Sequence, residues 1–233
     1  MKLFLVLFIS FSVYAEKPLN FIIFLADAMG YSDLGSYGAE IHTPHLDKLA
    51  NEGLRFTDFY SAAPNCSPAR AGLLTGRTPS RVGVYDWVPP GGPMHLSTNE
   101  LTIAELLKEN NYQTAHMGKW HLSRWVHEKE EDGTSKGRMI GPTPDEQGFD
   151  YWFACDNNAL PSHLNPVNFM RNGVELGKLE GYAYQLVADE SIEWLREKCE
   201  EEKPFFLNIW FNEPHKFLAS PPEMMEKYIV CTC

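Results

Sequence analysis

Asn20-Phe21-Ile22-Ile23-Phe24-Leu25-Ala26-Asp27 is a continuous apolar, β-rich run that ends on a carboxylate. Lacking polar alternation, it is expected to be a strand buried on both faces of a parallel sheet, with Asp27 at its carboxyl end. Phe205 to Phe211 (FFLNIWF) has the same character and is followed by Asn212-Glu213-Pro214-His215. Tyr112 to Met117 is a shorter strand candidate that delivers Gly118-Lys119-Trp120-His121. Leu54 to Tyr60 is expected to form another strand. Helical patterns lie between these runs. Thr43-Pro44 opens one that continues through Ala50 and stops at Gly53, and Asn99 to Glu109 carries Ile103, Leu106 and Leu107 on one face. Tyr182 to Glu201 places Tyr184, Val187, Ala188, Ser191, Leu195 and Lys198 at i, i+3, i+4, i+7 spacing. Strands alternating with helices predict an α/β fold, a mostly parallel mixed sheet flanked by helices.

Open parallel sheets bind ligands in the crevice beyond the carboxyl ends of their strands. Asp27, the pair Lys119 and His121, and His215 each follow a predicted strand at once. Cys66 joins them through Asn65-Cys66-Ser67-Pro68-Ala69-Arg70, which reads as a helix start with Ser67 as N-cap and Pro68 at the first helical position. Gly76 is its stop signal. A cysteine there sits over unpaired backbone N–H groups that favour negative charge. Each residue alone has a plain structural reading, and a lone cysteine is more often a buried core thiol. Together, a carboxylate, two cations (Arg70 and Lys119), two imidazoles and a nucleophile suit the transfer of an anionic ester group. Residues 127–148 are charged and rich in Gly and Pro, which predicts an exposed excursion. Asp156 to Gly177 reads as a long loop able to border a substrate site.

With 233 residues, 44% of them hydrophobic, the chain can form one sizeable α/β domain. Its formal charge of −11 makes it a poor partner for nucleic acid. Lys2, the apolar run Leu3 to Ile9 and Val13-Tyr14-Ala15 fit a cleaved signal peptide over residues 1–15, and no later stretch is apolar enough to cross a bilayer. The mature protein is therefore expected to be exported, without stable membrane insertion. Five cysteines in an exported chain leave at least one outside internal pairing, and Cys66 is the natural candidate; Cys155, Cys199, Cys231 and Cys233 could form up to two bridges. Asn65-Cys66-Ser67 also fits a glycosylation sequon, but a glycan there would block the site, so the sequon is read as unused.

With these residues in place, the sequence resembles the type I sulfatases of the alkaline phosphatase superfamily. Cys66-Ser67-Pro68-Ala69-Arg70 matches their C-x-P-x-R modification motif, with Leu74-Thr75-Gly76-Arg77 downstream, and Gly118-Lys119-Trp120-His121-Leu122 matches their second signature. Leu25-Ala26-Asp27, Gly30-Tyr31 and Asp33-Leu34-Gly35 are similar to the amino-terminal metal segment, and Pro214-His215 to the later active-site histidine. The matches run in order over roughly residues 18–228. The resemblance implies a sulfuric ester hydrolase acting on an aryl or carbohydrate sulfate, with one calcium ion. It also implies that a formylglycine-generating enzyme oxidises Cys66 to formylglycine, whose hydrate attacks sulfur, displaces the alcohol and then eliminates sulfate. By the same resemblance Arg70 would hold the hydrate, Lys119 would bind sulfate, and His121 would hydrogen-bond the hydrate and assist elimination. His215 would contact sulfate and the leaving oxygen, Asp27 and the modified Cys66 would be metal ligands, and the protein would be secreted, lysosomal or periplasmic.

Two departures accompany the match. Ala28 stands where the family usually has a second aspartate, and the family's remaining metal ligands and a second lysine would lie beyond His215. Residues 16–233 therefore read as the amino-terminal part of a catalytic domain, truncated at its carboxyl end. Two alternatives stand beside a sulfatase: an exported, inactive relative that binds sulfated ligands, and a phosphoester or phosphonate hydrolase of the same superfamily.

Overall fold

In the computed structural model, which describes residues 17–129, 135–216 and 218–228, the chain builds a six-stranded sheet with helices on both faces. The elements are β1 (Phe21–Leu25), α1 (Pro44–Glu52), α2 (Cys66–Thr75), α3 (Ile103–Glu109), β2 (Gln113–Lys119), β3 (Arg124–Lys129) and β4 (Ser135–Gly141). They continue with β5 (Tyr151–Cys155), β6 (Met170–Arg171), β7 (Val174–Glu175), α4 (Ala183–Lys198), β8 (Phe205–Trp210) and α5 (Pro222–Glu226). The strand order is β1-β8-β2-β5-β6-β7; the first four are mutually parallel, β6 pairs antiparallel with β5, and β7 pairs antiparallel with β6. The expected α/β architecture is present. The signal peptide expected over residues 1–15 lies outside the described residues, as do Cys231 and Cys233.

The core divides across the sheet. On one face Ala71 and Leu74 of α2 and Ala104 of α3 pack with Trp120, Trp152, Phe206 and Trp210. On the other, Ala183, Val187 and Trp194 of α4 pack with Met117, Phe153, Phe205 and Leu207. β8 is buried along its whole length, as its unbroken apolar run requires. Its one polar member, Asn208, is matched in register with His116 of β2, and the two side chains hydrogen-bond at 3.0 Å.

Several expectations are corrected. β1 is not buried on both faces: among the described residues β8 is its only strand partner, and Phe21, Ile22 and Phe24 are exposed, the last at 59%. Leu54 to Tyr60 forms no strand, because no neighbouring strand pairs with it among the described residues, and Leu54 is 88% exposed. The expected excursion over residues 127–148 is in part regular structure: its described residues include the antiparallel pairing of β3 with β4, and Met139 is buried. The third helix begins at Ile103 rather than near Asn99, because Thr102 and Glu105 close a reciprocal capping box there. Among the described residues no disulfide is formed; Cys66, Cys155 and Cys199 are free thiols.

Candidate active site

The parallel strands deliver their polar ends to one edge of the sheet, where α2 begins. Cys66 is the first residue of α2 and Asn65 is its cap residue, so Ser67 and Pro68 lie within the first turn rather than ahead of it. Ser67 has a different task from the expected capping: its buried hydroxyl accepts the Val88 N–H at 3.0 Å. The Val88 carbonyl in turn receives the indole N–H of Trp125 at 2.8 Å and lies 3.1 Å from His121 Nε2. Gly76 ends the helix in the left-handed conformation, φ 63°, as its sequence position suggests.

Gly118 sets the position of Lys119. Its φ is 99°, and a Cβ there would lie 1.9 Å from the Trp210 carbonyl oxygen, so only glycine lets β2 and β8 approach this closely. Lys119, fully buried, donates from Nζ to Asp27 Oδ2 at 2.6 Å. Arg70 comes from α2, one turn beyond Cys66, and donates from Nη1 to the Lys119 carbonyl at 2.9 Å. Its Nη2 lies 3.4 Å from Asp27 Oδ1, and its guanidinium stands 4.8 Å over the Trp210 ring. One buried carboxylate thus serves two buried cations, which leaves the cluster with an excess of positive charge. Asp27, Cys66 and His215 converge, with one potential ligand atom from each lying within 4.8 Å of the others. Asp27, Cys66 and Arg70 line a cavity of about 320 Å³ walled by Ala28, Ser61, Ala63 and Pro64.

Burial works against the charge on Asp27, but Arg70 and Lys119 outweigh it and hold the carboxyl below its ordinary range. His121 is pushed well below the usual histidine value by burial, then by Lys119 and Arg70. It is therefore neutral near pH 7; with Nε2 facing the Val88 carbonyl, Nδ1 is left as an unpartnered acceptor. His215 is half-buried and is also lowered, by burial and then Lys119, with Asp27 opposing. His121 and Ala28 both adopt positive φ, 54° and 64°, a conformation costly for residues with a side chain.

All six residues singled out in the sequence meet here. Three others were not anticipated. Glu213 fastens the turn that carries His215: its carbonyl accepts from Asp27 N at 2.9 Å, and its Oε1 accepts the Tyr184 N–H at the start of α4 at 3.2 Å. His163, fully buried, places Nδ1 3.3 Å from the same Oε1, at an angle that makes no hydrogen bond. Asp156, just past β5, is 1% exposed with both carboxyl oxygens unpartnered. Burial raises its pKa well above the ordinary carboxylate value, against the pull of Lys119 and Arg70. The signal for Glu213 was its place one residue past Asn212 at a strand end; Asp156 and His163 lay in the stretch read as a long loop able to border a substrate site, without being singled out.

Fold and site together define an α/β protein with a cationic, cysteine-bearing pocket at the carboxyl edge of a parallel sheet. The chain belongs to the sulfatase family, whose model, described as Sulfatase, matches residues 19–231. It is 32% identical over 259 aligned positions to arylsulfatase G of Rattus norvegicus, an alignment covering 93% of this chain and 45% of that protein. Over 110 positions it is 50% identical to arylsulfatase A of Bos taurus, covering 46% of this chain and 22% of the relative. A crystal structure of Ps i-CgsB in complex with k-i-k-neocarrahexaose superposes with a TM-score of 0.76 at 29% identity, covering 92% of this chain and 49% of that one. The structure of BT4656 in complex with its substrate D-glucosamine-2-N,6-O-disulfate gives 0.71 at 26% identity, covering 91% and 38%. The chain spans about half the length, or less, of the relatives it matches. No helix among the described residues is long and apolar enough to cross a membrane.

Proposed function

We propose that this chain carries the nucleophile half of a sulfuric ester hydrolase acting on a sulfated small molecule or glycan. The observation that carries the reading is the charge arrangement beside Cys66: Lys119 and Arg70, both buried, share the single carboxylate of Asp27. Buried cations in excess of their counter-charge favour a bound anion, and a sulfate ester is one. The helix start under Cys66 adds backbone N–H groups to the same pocket.

Conversion of the Cys66 thiol to formylglycine would supply an aldehyde hydrate as nucleophile. The thiol suits that change, being free, partly exposed and set in C-S-P-A-R at the mouth of the cavity. In this reading Arg70 orients the hydrate, its guanidinium held over Trp210 and tied to the Lys119 carbonyl. Lys119 neutralises the sulfate. His121, neutral and with Nδ1 open, takes the proton of a hydrate hydroxyl as sulfate departs. His215, at the open side and in its protonated form, gives a proton to the leaving alcohol oxygen, so the alcohol leaves neutral, and the resulting neutral imidazole recovers through solvent the proton that the attacking hydrate hydroxyl releases.

The calcium ion implied by the resemblance finds one carboxylate here. Asp27 is that donor, already engaged by Lys119 and Arg70; Ala28 offers no ligand, and Cys66 and His215 offer sulfur and nitrogen. Calcium takes six to eight oxygens, so these residues alone do not fit it, and none of the roles above passes through the ion. Export through a signal peptide and maturation by a formylglycine-generating enzyme belong to the same proposal. The carrying experiment is hydrolysis of a chromogenic aryl sulfate by the secreted protein. Turnover that disappears in Lys119→Ala and Cys66→Ala supports the reading. Turnover that survives Cys66→Ala contradicts it.

A further inference from the structure

The sequence holds six tryptophans, and five of them are no more than 4% exposed; Trp87 is 44% exposed. It stands beside the site rather than on a remote surface, for its ring centroid lies 6.4 Å from that of His121, with the two planes inclined at 51°. The segment that carries it is tied to the helix bearing the nucleophile. Asn65, the residue before Cys66, donates from Nδ2 to Asp86 Oδ1 at 2.9 Å, and the Trp87 backbone N–H donates to the same oxygen at 2.7 Å. One residue on, the Val88 N–H donates to Ser67 Oγ at 3.0 Å. Val84 and Val88, both fully buried, pin the two ends of the exposed stretch Tyr85-Asp86-Trp87. The place of the indole relative to Cys66 is therefore set by the start of α2.

An indole left open to water buries a large apolar area when a flat ligand covers it, and it does so at little cost in side-chain freedom. Sulfate esters all present the same head group, so Lys119 and Arg70 cannot tell one ester from another. Discrimination has to come from groups that meet the alcohol. We infer that Trp87 is the specificity-determining residue of this pocket, a platform on which the six-membered ring of the leaving alcohol, aryl or pyranose, stacks while its sulfate is seated on Lys119 and Arg70. The inference deepens the sulfate-ester reading and rests on it for turnover. Sulfates of cyclic alcohols are then preferred over sulfates of acyclic alcohols of the same charge.

The test separates binding from turnover. Binding is measured by calorimetry on the full chain made without a formylglycine-generating enzyme, with 4-nitrophenyl sulfate, galactose 6-sulfate and ethyl sulfate as probes of equal charge. The parent should hold at least one of the cyclic esters roughly tenfold more tightly than ethyl sulfate, and the aryl and pyranose arms tell which ring the platform takes. That preference should disappear in Trp87→Ala and be largely kept in Trp87→Phe. A merely structural role, acting through His121, would weaken all three probes alike and leave the preference where it was. In chain carrying formylglycine, KM for the preferred ester should rise in Trp87→Ala by more than kcat falls, since stacking is lost from ground state and transition state together. A preference absent from the parent, or one that survives Trp87→Ala, overturns the inference whatever the turnover. A binding preference that follows Trp87 without turnover of any ester supports the platform and overturns the sulfatase reading alone.

Discussion

Replacing Asp27 by asparagine removes the carboxylate that pairs with both Lys119 and Arg70 while keeping side-chain size. The ion-pair distances are 2.6 and 3.4 Å. At an effective dielectric of about 20 they correspond to gross attractions of about 6 and 5 kcal/mol. The desolvation cost of both cations is already present in the fold, since they are 0% and 1% exposed, and removing one partner of a buried pair costs about 3–5 kcal/mol net. For a chain of this length that is a fall in Tm of roughly 6–20 °C. The assay is thermal and urea unfolding followed by circular dichroism, with Lys119→Met and the Asp27→Asn/Lys119→Met double variant completing a cycle. The double variant should lose less than the sum of the singles, because Met removes one of the stranded charges. A fall of less than about 2 °C in Asp27→Asn, or strict additivity, would mean that solvent already screens these charges, and the buried cationic pocket would not exist as described.

Three further outcomes follow from the same geometry. Gly118→Ala would drive a Cβ into the Trp210 carbonyl at 1.9 Å, so loss of more than about 4 kcal/mol is expected, read as failure to recover folded protein. Glu213→Ala should cost about 1–3 kcal/mol through the lost acceptor of the Tyr184 N–H. If the protein turns over sulfate esters, the same variant should lower kcat more than it raises KM, because the turn carrying His215 loosens. His116 and His121 are both held below the ordinary histidine value, chiefly by burial. A depressed folded-state value means that the unfolded chain binds more protons below pH about 6.5, so their stabilising contribution is full above that pH and is lost as pH falls. Tm measured between pH 7.5 and 5 should therefore decline, and His121→Asn should flatten part of the slope.

The parts of the fold legible in the sequence were those whose side chains all meet the same environment. FFLNIWF is apolar throughout and is buried throughout, and α4 shows its period because one face packs on the sheet. The reading failed where an apolar run lacks a covering partner: Leu54 to Tyr60 has strand propensity but no strand beside it, and β1 carries the same residue types as β8 yet is exposed. Helix starts shifted for local reasons, a capping box at Thr102 and a cap at Asn65 instead of Ser67. The convergence of the six candidate residues was legible because their positions after strands and at a helix start are fixed by topology. Glu213 and His163 were not, since their contacts join a loop, a turn and the start of α4 across long sequence separations.

The state of Cys66 after export tests the central claim most directly. Secreted protein digested with trypsin yields the peptide Phe56–Arg70, and its mass distinguishes thiol from aldehyde. The account predicts the aldehyde in a substantial fraction of chains. It further predicts that aryl sulfate hydrolysis rises with that fraction and that heavy oxygen from labelled water appears in the released sulfate and not in the alcohol. A thiol in every chain together with undiminished hydrolysis, or label in the alcohol, would contradict it.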